Sequence, residues 1–327
     1  MSSHIPHILV TEPIPEKVTS YLKEFGKVTV APKGTYGSEE KLIEDIKNYD
    51  ALLCMLSTPV TAKVLAEAKQ LKVVANFAVG YDNIDVSAAH SHGIKVANTP
   101  DVLTEACGDY AMGLLLALSR KFKEAEKYLR EGRFNGWEPL GFLGMELRDR
   151  TLGIIGMGRI GQSFAYRARA FGMNIKYHNR SRIAPQVEQQ LKATYVEDHK
   201  ELARNCDVLS LNCPLNNETH HLVDKALLES MREHALLINI SRGAVIDESA
   251  LANALHNRTI AGAALDVFEE EPKVHPQLLS APNTLLLPHI ASATHKTREA
   301  IGMLAAEAIT SVLQGKPDTE IPNLIRR

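Results

Sequence analysis

Along the first hundred residues, short runs of β-branched and aliphatic residues alternate with longer stretches in which apolar positions recur every three or four residues. Runs at 7–11, 27–31, 51–56, 72–78 and 94–98 have strand length, and the stretches 16–25, 38–48, 61–68 and 87–92 carry the helical pattern. Strands separated by helical crossovers pair in parallel and are covered on both faces. A Thr-Pro-Asp step at 99–101 ends the series, after which 103–131, poor in Gly and Pro, reads as one long helix. The segment 132–144, with Gly, Trp and Pro, reads as an ordered loop. Six further strands are predicted at 151–155, 174–178, 208–211, 235–239, 262–266 and 284–287, then a helix over 294–314. The pattern therefore predicts an α/β protein with two doubly wound parallel sheets.

Composition narrows the class of function. The chain has 327 residues, 45% hydrophobic and 23% charged, and 37 Lys and Arg against 39 Asp and Glu leave a net charge of −2. That is a globular chain with enough residues for two cores and no cationic footprint for nucleic acid or an anionic membrane. The longest apolar run in a helical region, 111–118, is far short of the roughly 20 residues of a bilayer span. The opening MSSHIPHILV lacks a basic segment followed by a long apolar one, so a cytoplasmic protein is expected. Cys54, Cys107, Cys206 and Cys213 form no CxxC pair and lie in apolar segments, as reduced buried thiols do, so no metal site is expected.

The first chemical motif is Gly156-Met157-Gly158-Arg159-Ile160-Gly161, a GxGxxG directly after a predicted strand and opening a helix over 162–171. Such a turn binds a dinucleotide: one glycine makes the tight turn, the second lets backbone approach a pyrophosphate, the third lets helix and strand pack, and the helix N-terminus favours the negative charge. An NAD site normally carries Asp or Glu about 20 residues on. Here the next strand ends in Asn179-Arg180-Ser181-Arg182, a neutral residue flanked by two guanidinium groups. A carboxylate repels a 2′-phosphate and arginine binds one, so NADP(H) is expected over NAD(H).

Three segments stand at the carboxyl ends of later strands, the edge at which open parallel sheets bind ligands. They are Asn239-Ile240-Ser241-Arg242-Gly243, the stretch from Asp266 to Glu271-Pro272, and Pro288-His289-Ile290-Ala291. Arg, Glu and His at three such ends suit one site. Together with the glycine turn, their order and spacing resemble the D-isomer-specific 2-hydroxyacid dehydrogenase family, on its glyoxylate/hydroxypyruvate reductase branch, over essentially the whole chain.

That resemblance implies a Rossmann cofactor domain, 101–289, inserted in a discontinuous flavodoxin-like substrate domain, 1–100 and 290–327. It implies that Arg242 binds the substrate carboxylate and polarises the carbonyl, that His289 is the acid/base and that Glu271 pairs with it. Val79 and Gly80 resemble the loop that holds a carboxylate through backbone N–H groups, and Leu56 and Ser57 resemble a nearby substrate loop. Asp266 would meet the nicotinamide carboxamide, Ile240 would stand behind the ring, and Ala291 would lie beside the cofactor. Cys213, Pro214 and Thr219 resemble an adenine-side loop, and Thr104 a residue reaching toward the phosphates. Trp137 resembles a residue that closes a partner's substrate pocket in a homodimer. The implied reaction is NADPH-dependent reduction of a small 2-keto acid, glyoxylate or hydroxypyruvate, to the D-2-hydroxy acid. The alternatives are a 2-ketogluconate-type or broad-range relative and, from a different class, a dinucleotide-sensing corepressor that binds without turnover.

Overall fold

The first series of apolar runs becomes the strands β1 (His7–Val10), β2 (Lys27–Val30), β3 (Ala51–Cys54), β4 (Val73–Asn76) and β5 (Lys95–Ala97). They form one parallel sheet in the order β2-β1-β3-β4-β5, the flavodoxin-like winding. Every residue of β3 and β4 is buried, because helices cover both faces, whereas the edge strand β2 has none fully buried. The computed structural model describes residues 4–326. Its internal contacts divide the chain into two units, the part up to Leu103 together with the part from Ala293 on, and Thr104–Ser292. The returning helix His295–Leu313 thus belongs to the first unit, where it packs on β3 and β4. Its Gly302 lies so close to Val18 that a Cβ would stand 2.6 Å from Cγ2.

The second unit holds β6 (Thr151–Ile155), β7 (Asn174–His178), β8 (Ala193–Tyr195), β9 (Val208–Leu211), β10 (Leu236–Asn239), β11 (Gly262–Leu265) and β12 (Thr284–Leu286). All run parallel in the order β12-β11-β10-β9-β6-β7-β8, a Rossmann winding whose direction reverses between β6 and β9. The sheet has seven strands where the sequence pattern gives six. The addition is β8, a three-residue edge strand with no buried residue, too short to show an alternation of its own.

The predicted long helix is also corrected. It is two helices, Thr104–Ser119 and Phe122–Arg130, separated at Lys121, whose φ of 54° is left-handed. The break is a tertiary effect. Gly144 returns against the first helix so closely that a Cβ would stand 2.2 Å from the Ser119 carbonyl oxygen, and Met145 N–H donates to that same oxygen at 2.9 Å.

Both sheets are fastened at their amino ends by one device. Asp50, ahead of β3, accepts the His7 N–H at 2.8 Å, and Asp207, ahead of β9, accepts the Thr151 N–H at 2.7 Å. Both are buried, and each is joined by basic partners: His4 and Lys72 for Asp50, Arg232 and His234 for Asp207. Burial works against their ionisation, but the backbone N–H and the basic neighbours outweigh it and hold both carboxyls below the usual range. Among the described residues no helix is long and apolar enough to cross a membrane.

Candidate active site

At the carboxyl end of β6 the three glycines answer three different demands. Gly156 has φ +97°, and a Cβ there would lie 2.5 Å from the backbone of Asn212 and Cys213. A Cβ on Gly161 would lie 2.4 Å from the Gly156 carbonyl oxygen. These two are required by packing. Gly158 is not: its φ is −75° and nothing lies within 4 Å of where a Cβ would stand. Gly158 and Ile160 open the helix Arg159–Ala170, and their N–H groups donate to no acceptor among the described residues. Open space before a helix N-terminus with unpaired donors is what a pyrophosphate fits, so these residues suit a bound dinucleotide.

The end of β7 lies beside this turn. Asn179 Oδ1 accepts the Met157 N–H at 2.6 Å, so a neutral amide closes the glycine turn where an NAD site normally carries an acid. Arg180 is highly exposed, 4.0 Å from Glu218, and Ser181 is exposed. The Arg182 guanidinium is paired with Glu188 at 2.7 Å.

On the other side of the reversal, Asn239 ends β10 fully buried and shapes the arginine turn. Its Oδ1 accepts the Ser241 N–H at 3.0 Å and hydroxyl at 2.9 Å, and its Nδ2 donates to the Arg242 carbonyl at 2.8 Å. Gly243 then meets the next motif directly, since a Cβ there would fall 1.8 Å from the Phe268 carbonyl carbon. This close approach brings the Arg242 turn against the loop that carries Glu271. The Arg242 Nη1 donates to the Ser241 carbonyl at 2.8 Å, and its charge acts on Glu271.

Glu271 uses both oxygens. Oε1 accepts the Phe268 N–H at 3.0 Å, and Oε2 lies 2.9 Å from His289 Nδ1. Burial opposes ionisation of Glu271, but the bond and charge of His289, the Phe268 N–H and Arg242 together hold its carboxyl below the usual range. An ionised carboxylate accepts only, so Nδ1 of His289 is the donor and Nε2 is left for other chemistry. His289 itself has φ 53°, and its backbone N–H donates to the Asp266 carbonyl at 2.8 Å.

Asp266, fully buried, is the anchor of that turn. Oδ1 accepts the Ile290 N–H at 2.9 Å and the Tyr110 hydroxyl at 2.7 Å, and Oδ2 accepts the Ala291 N–H at 2.8 Å. Burial raises its carboxyl and, with the Asp266 bond, raises the Tyr110 phenol as well. Tyr110 lies outside the motifs, and Asn239, inside one of them, carries no expected role of its own. Tyr110 had no local signal, since it lies on the helix Thr104–Ser119, 156 positions from Asp266. Thr104 begins this helix, and Ile240 is partly buried against the core beneath. Cys213 is buried, its thiol pushed up to about 11 by that burial, and opens a loop closed by Thr219 Oγ1 donating to the Pro214 carbonyl at 2.7 Å. All four cysteines are buried, and none is paired in a disulfide.

In the first unit, β4 leads into Val79 and Gly80. Their carbonyls accept from Asn98 Nδ2 and Asn76 Nδ2, each at 2.7 Å, while their N–H groups donate to nothing among the described residues. Leu56 and Ser57 follow β3 in a turn, with the Ser57 hydroxyl 3.2 Å from Glu12. Trp137 is 85% exposed on the segment after Phe122–Arg130. That segment folds back on its helix, the Phe142 ring standing edge-on to Tyr128 at 5.2 Å.

With this geometry in place, comparison with known proteins is direct. The family model for the D-isomer specific 2-hydroxyacid dehydrogenase, NAD binding domain, matches residues 112–291. A glyoxylate reductase of Thermococcus onnurineus is 44% identical over 98% of this chain and 96% of its own, and one from Aeropyrum pernix is 42% identical over 98% and 96%. Among solved structures, an NADPH-dependent glyoxylate/hydroxypyruvate reductase from Sinorhizobium meliloti, in complex with NADP and malonate, superposes with a TM-score of 0.86 at 37% identity, covering 99% of this chain and 100% of that one. Matched along its length in sequence and in fold, the chain belongs to the D-isomer specific 2-hydroxyacid dehydrogenase family.

Proposed function

We propose that this protein reduces a small 2-keto acid of the glyoxylate or hydroxypyruvate type to glycolate or the D-2-hydroxy acid, with NADPH preferred over NADH. The observation that carries the reading is the Glu271–His289 pair at 2.9 Å, with Arg242 close enough for its charge to act on Glu271. A bound nicotinamide dinucleotide supplies the hydride to the carbonyl carbon. The oxygen that becomes an alkoxide takes its proton from His289 Nε2, and Glu271 at Nδ1 stabilises the protonated ring before transfer. Arg242 meets the substrate carboxylate with paired, charge-assisted bonds and polarises the carbonyl. The Val79 and Gly80 N–H groups are donors of the kind a carboxylate takes. Support for the substrate class comes from the glyoxylate reductases among the relatives.

The preference for NADPH rests on Asn179 standing in place of an acid and on Arg180, Ser181 and Arg182 beside it. Buried reduced thiols suit the cytoplasm. We also propose a homodimer. Phe122, Leu129, Phe134, Trp137, Leu140 and Leu143 are each more than half exposed within one stretch of chain, which a soluble monomer rarely leaves uncovered. A second copy is the cover proposed, with Trp137 limiting the partner's pocket to a small side chain. Initial rates with glyoxylate, hydroxypyruvate, pyruvate and 2-ketogluconate, each with NADPH and NADH, test the whole reading. Fastest turnover of the first two with NADPH is expected. Nucleotide binding without oxidation by any keto acid overturns it in favour of a binding protein.

A further inference from the structure

Glu188 is the one carboxylate of the loop region after β7 that no motif explained. It lies on the helix Pro185–Leu191, most of which is exposed, yet its own side chain is only 9% exposed. A buried carboxylate needs partners, and this one has two. Arg182 meets it as a fork, Nε to Oε1 and Nη2 to Oε2, both at 2.7 Å, and the Tyr177 hydroxyl donates to Oε1. The Tyr177 oxygen in turn accepts the Ile183 N–H at 3.1 Å, and the Arg182 guanidinium carbon stands 5.9 Å from the centre of the Tyr195 ring. β7, β8 and the helix thus grip one arginine. The Arg182 side chain is nevertheless 64% exposed, and Nη1 makes no bond among the described residues.

From this we infer that Glu188 is a positioning residue for nucleotide selection, holding Arg182 with its open edge presented to a phosphate. The inference rests on the reading that Arg180, Ser181 and Arg182 receive the 2′-phosphate of NADPH. An arginine already held in one geometry gives up less freedom when it meets its ligand than one that samples many rotamers. A simpler role, in which Glu188 merely cancels the Arg182 charge, has the opposite sign, because removing the acid would then strengthen the attraction for phosphate. Orientation outweighs charge here because the carboxylate lies on the buried side of the guanidinium, away from a ligand at the exposed edge.

The test is calorimetric titration of the full chain with adenosine 2′,5′-bisphosphate and with 5′-AMP, which isolates the 2′-phosphate from turnover. Wild type should prefer the bisphosphate, and Glu188→Gln should cut that preference by about 3- to 10-fold, the cost of ordering one long side chain. Arg182→Ala should cut it further, and adding Glu188→Gln to Arg182→Ala should change nothing more, since Glu188 acts through Arg182. If Glu188→Gln does not fold, Tyr177→Phe, which removes only the hydroxyl that orients the carboxylate, should move the preference in the same direction. A preference that rises or stays constant in these variants overturns the positioning role, as does an additive double change. Equal binding of both fragments by wild type refutes the NADPH reading, and a preference untouched by Arg180→Ala and Arg182→Ala refutes the assignment of the 2′-phosphate to these arginines; the inference falls with either.

Discussion

Replacing Glu271 by Gln changes one atom and has a calculable consequence. The Phe268 N–H, 3.0 Å from Oε1, can only donate, so the glutamine oxygen must take that place and its NH2 must face His289 Nδ1. Two donors cannot share a bond, so Nδ1 gives up its proton and the ring is held neutral, with its remaining proton on Nε2. In the proposed mechanism the imidazolium, as proton donor, then loses a charge-assisted bond worth about 1.5–3 kcal/mol, equivalent to roughly 10- to 150-fold in rate. The two side chains are 31% and 38% exposed, so water screens part of this, and a fall in kcat of about 10- to 30-fold is expected. The sign in pH is fixed too. Glu271 has its carboxyl below the usual range, so the wild-type pair persists until the pH falls through that lowered range. Without the carboxylate the protonated ring is easier to deprotonate, and the alkaline limb of the pH–rate profile for reduction should move to lower pH. NADPH oxidation by glyoxylate, followed across pH in both proteins, reads both quantities. An alkaline limb that stays or moves upward, with kcat unchanged, refutes the pairing.

The glycine turn offers a contrast between two alanines. Gly156→Ala should lower the melting temperature by several degrees, since it places a Cβ 2.5 Å from backbone at φ +97°, whereas Gly158→Ala should fold normally and bind dinucleotide at least about 10-fold more weakly by titration. Asp207→Asn removes the buried anion that joins the Thr151 N–H to the half-exposed Arg232 and His234 and should cost about 1.5–3 kcal/mol in urea unfolding at neutral pH. Because the folded-state carboxyl of Asp207 is lowered, its contribution is present above the unfolded value and lost as pH falls through the folded one, so the difference between the two proteins should close in acid. Changing Trp137 and Leu140 together to Glu should shift sedimentation equilibrium from dimer to monomer, and Trp137→Ala alone should raise relative activity toward bulkier 2-keto acids; a wild type that sediments as a monomer refutes the first.

What the sequence by itself determined follows from chemistry that is local. Buried parallel strands must be continuous apolar runs, so β1, β3, β4, β6, β9 and β10 could be read from composition along the chain. A dinucleotide turn needs its glycines at fixed offsets, and a proton donor and an anion clamp need His and Arg, so Gly156 to Gly161, Arg242, Glu271 and His289 were legible as types in an order. Their meeting was decided by tertiary structure. Only the fold shows that Gly243 packs on the Phe268 backbone and so sets Arg242 beside the Glu271 loop, or that Tyr110 crosses 156 positions to hold Asp266. The helix break at Lys121 and the edge strand β8 escaped the sequence for the same reason. One follows from the return of Gly144 onto Ser119, the other from pairing with β7, and neither leaves a periodicity within its own few residues. Arg182 marks the boundary most sharply. Its presence beside Asn179 is a property of sequence, but that its guanidinium is already gripped by a buried Glu188 is a property of the folded chain, because burial is what turns a neighbouring carboxylate into a fixed partner.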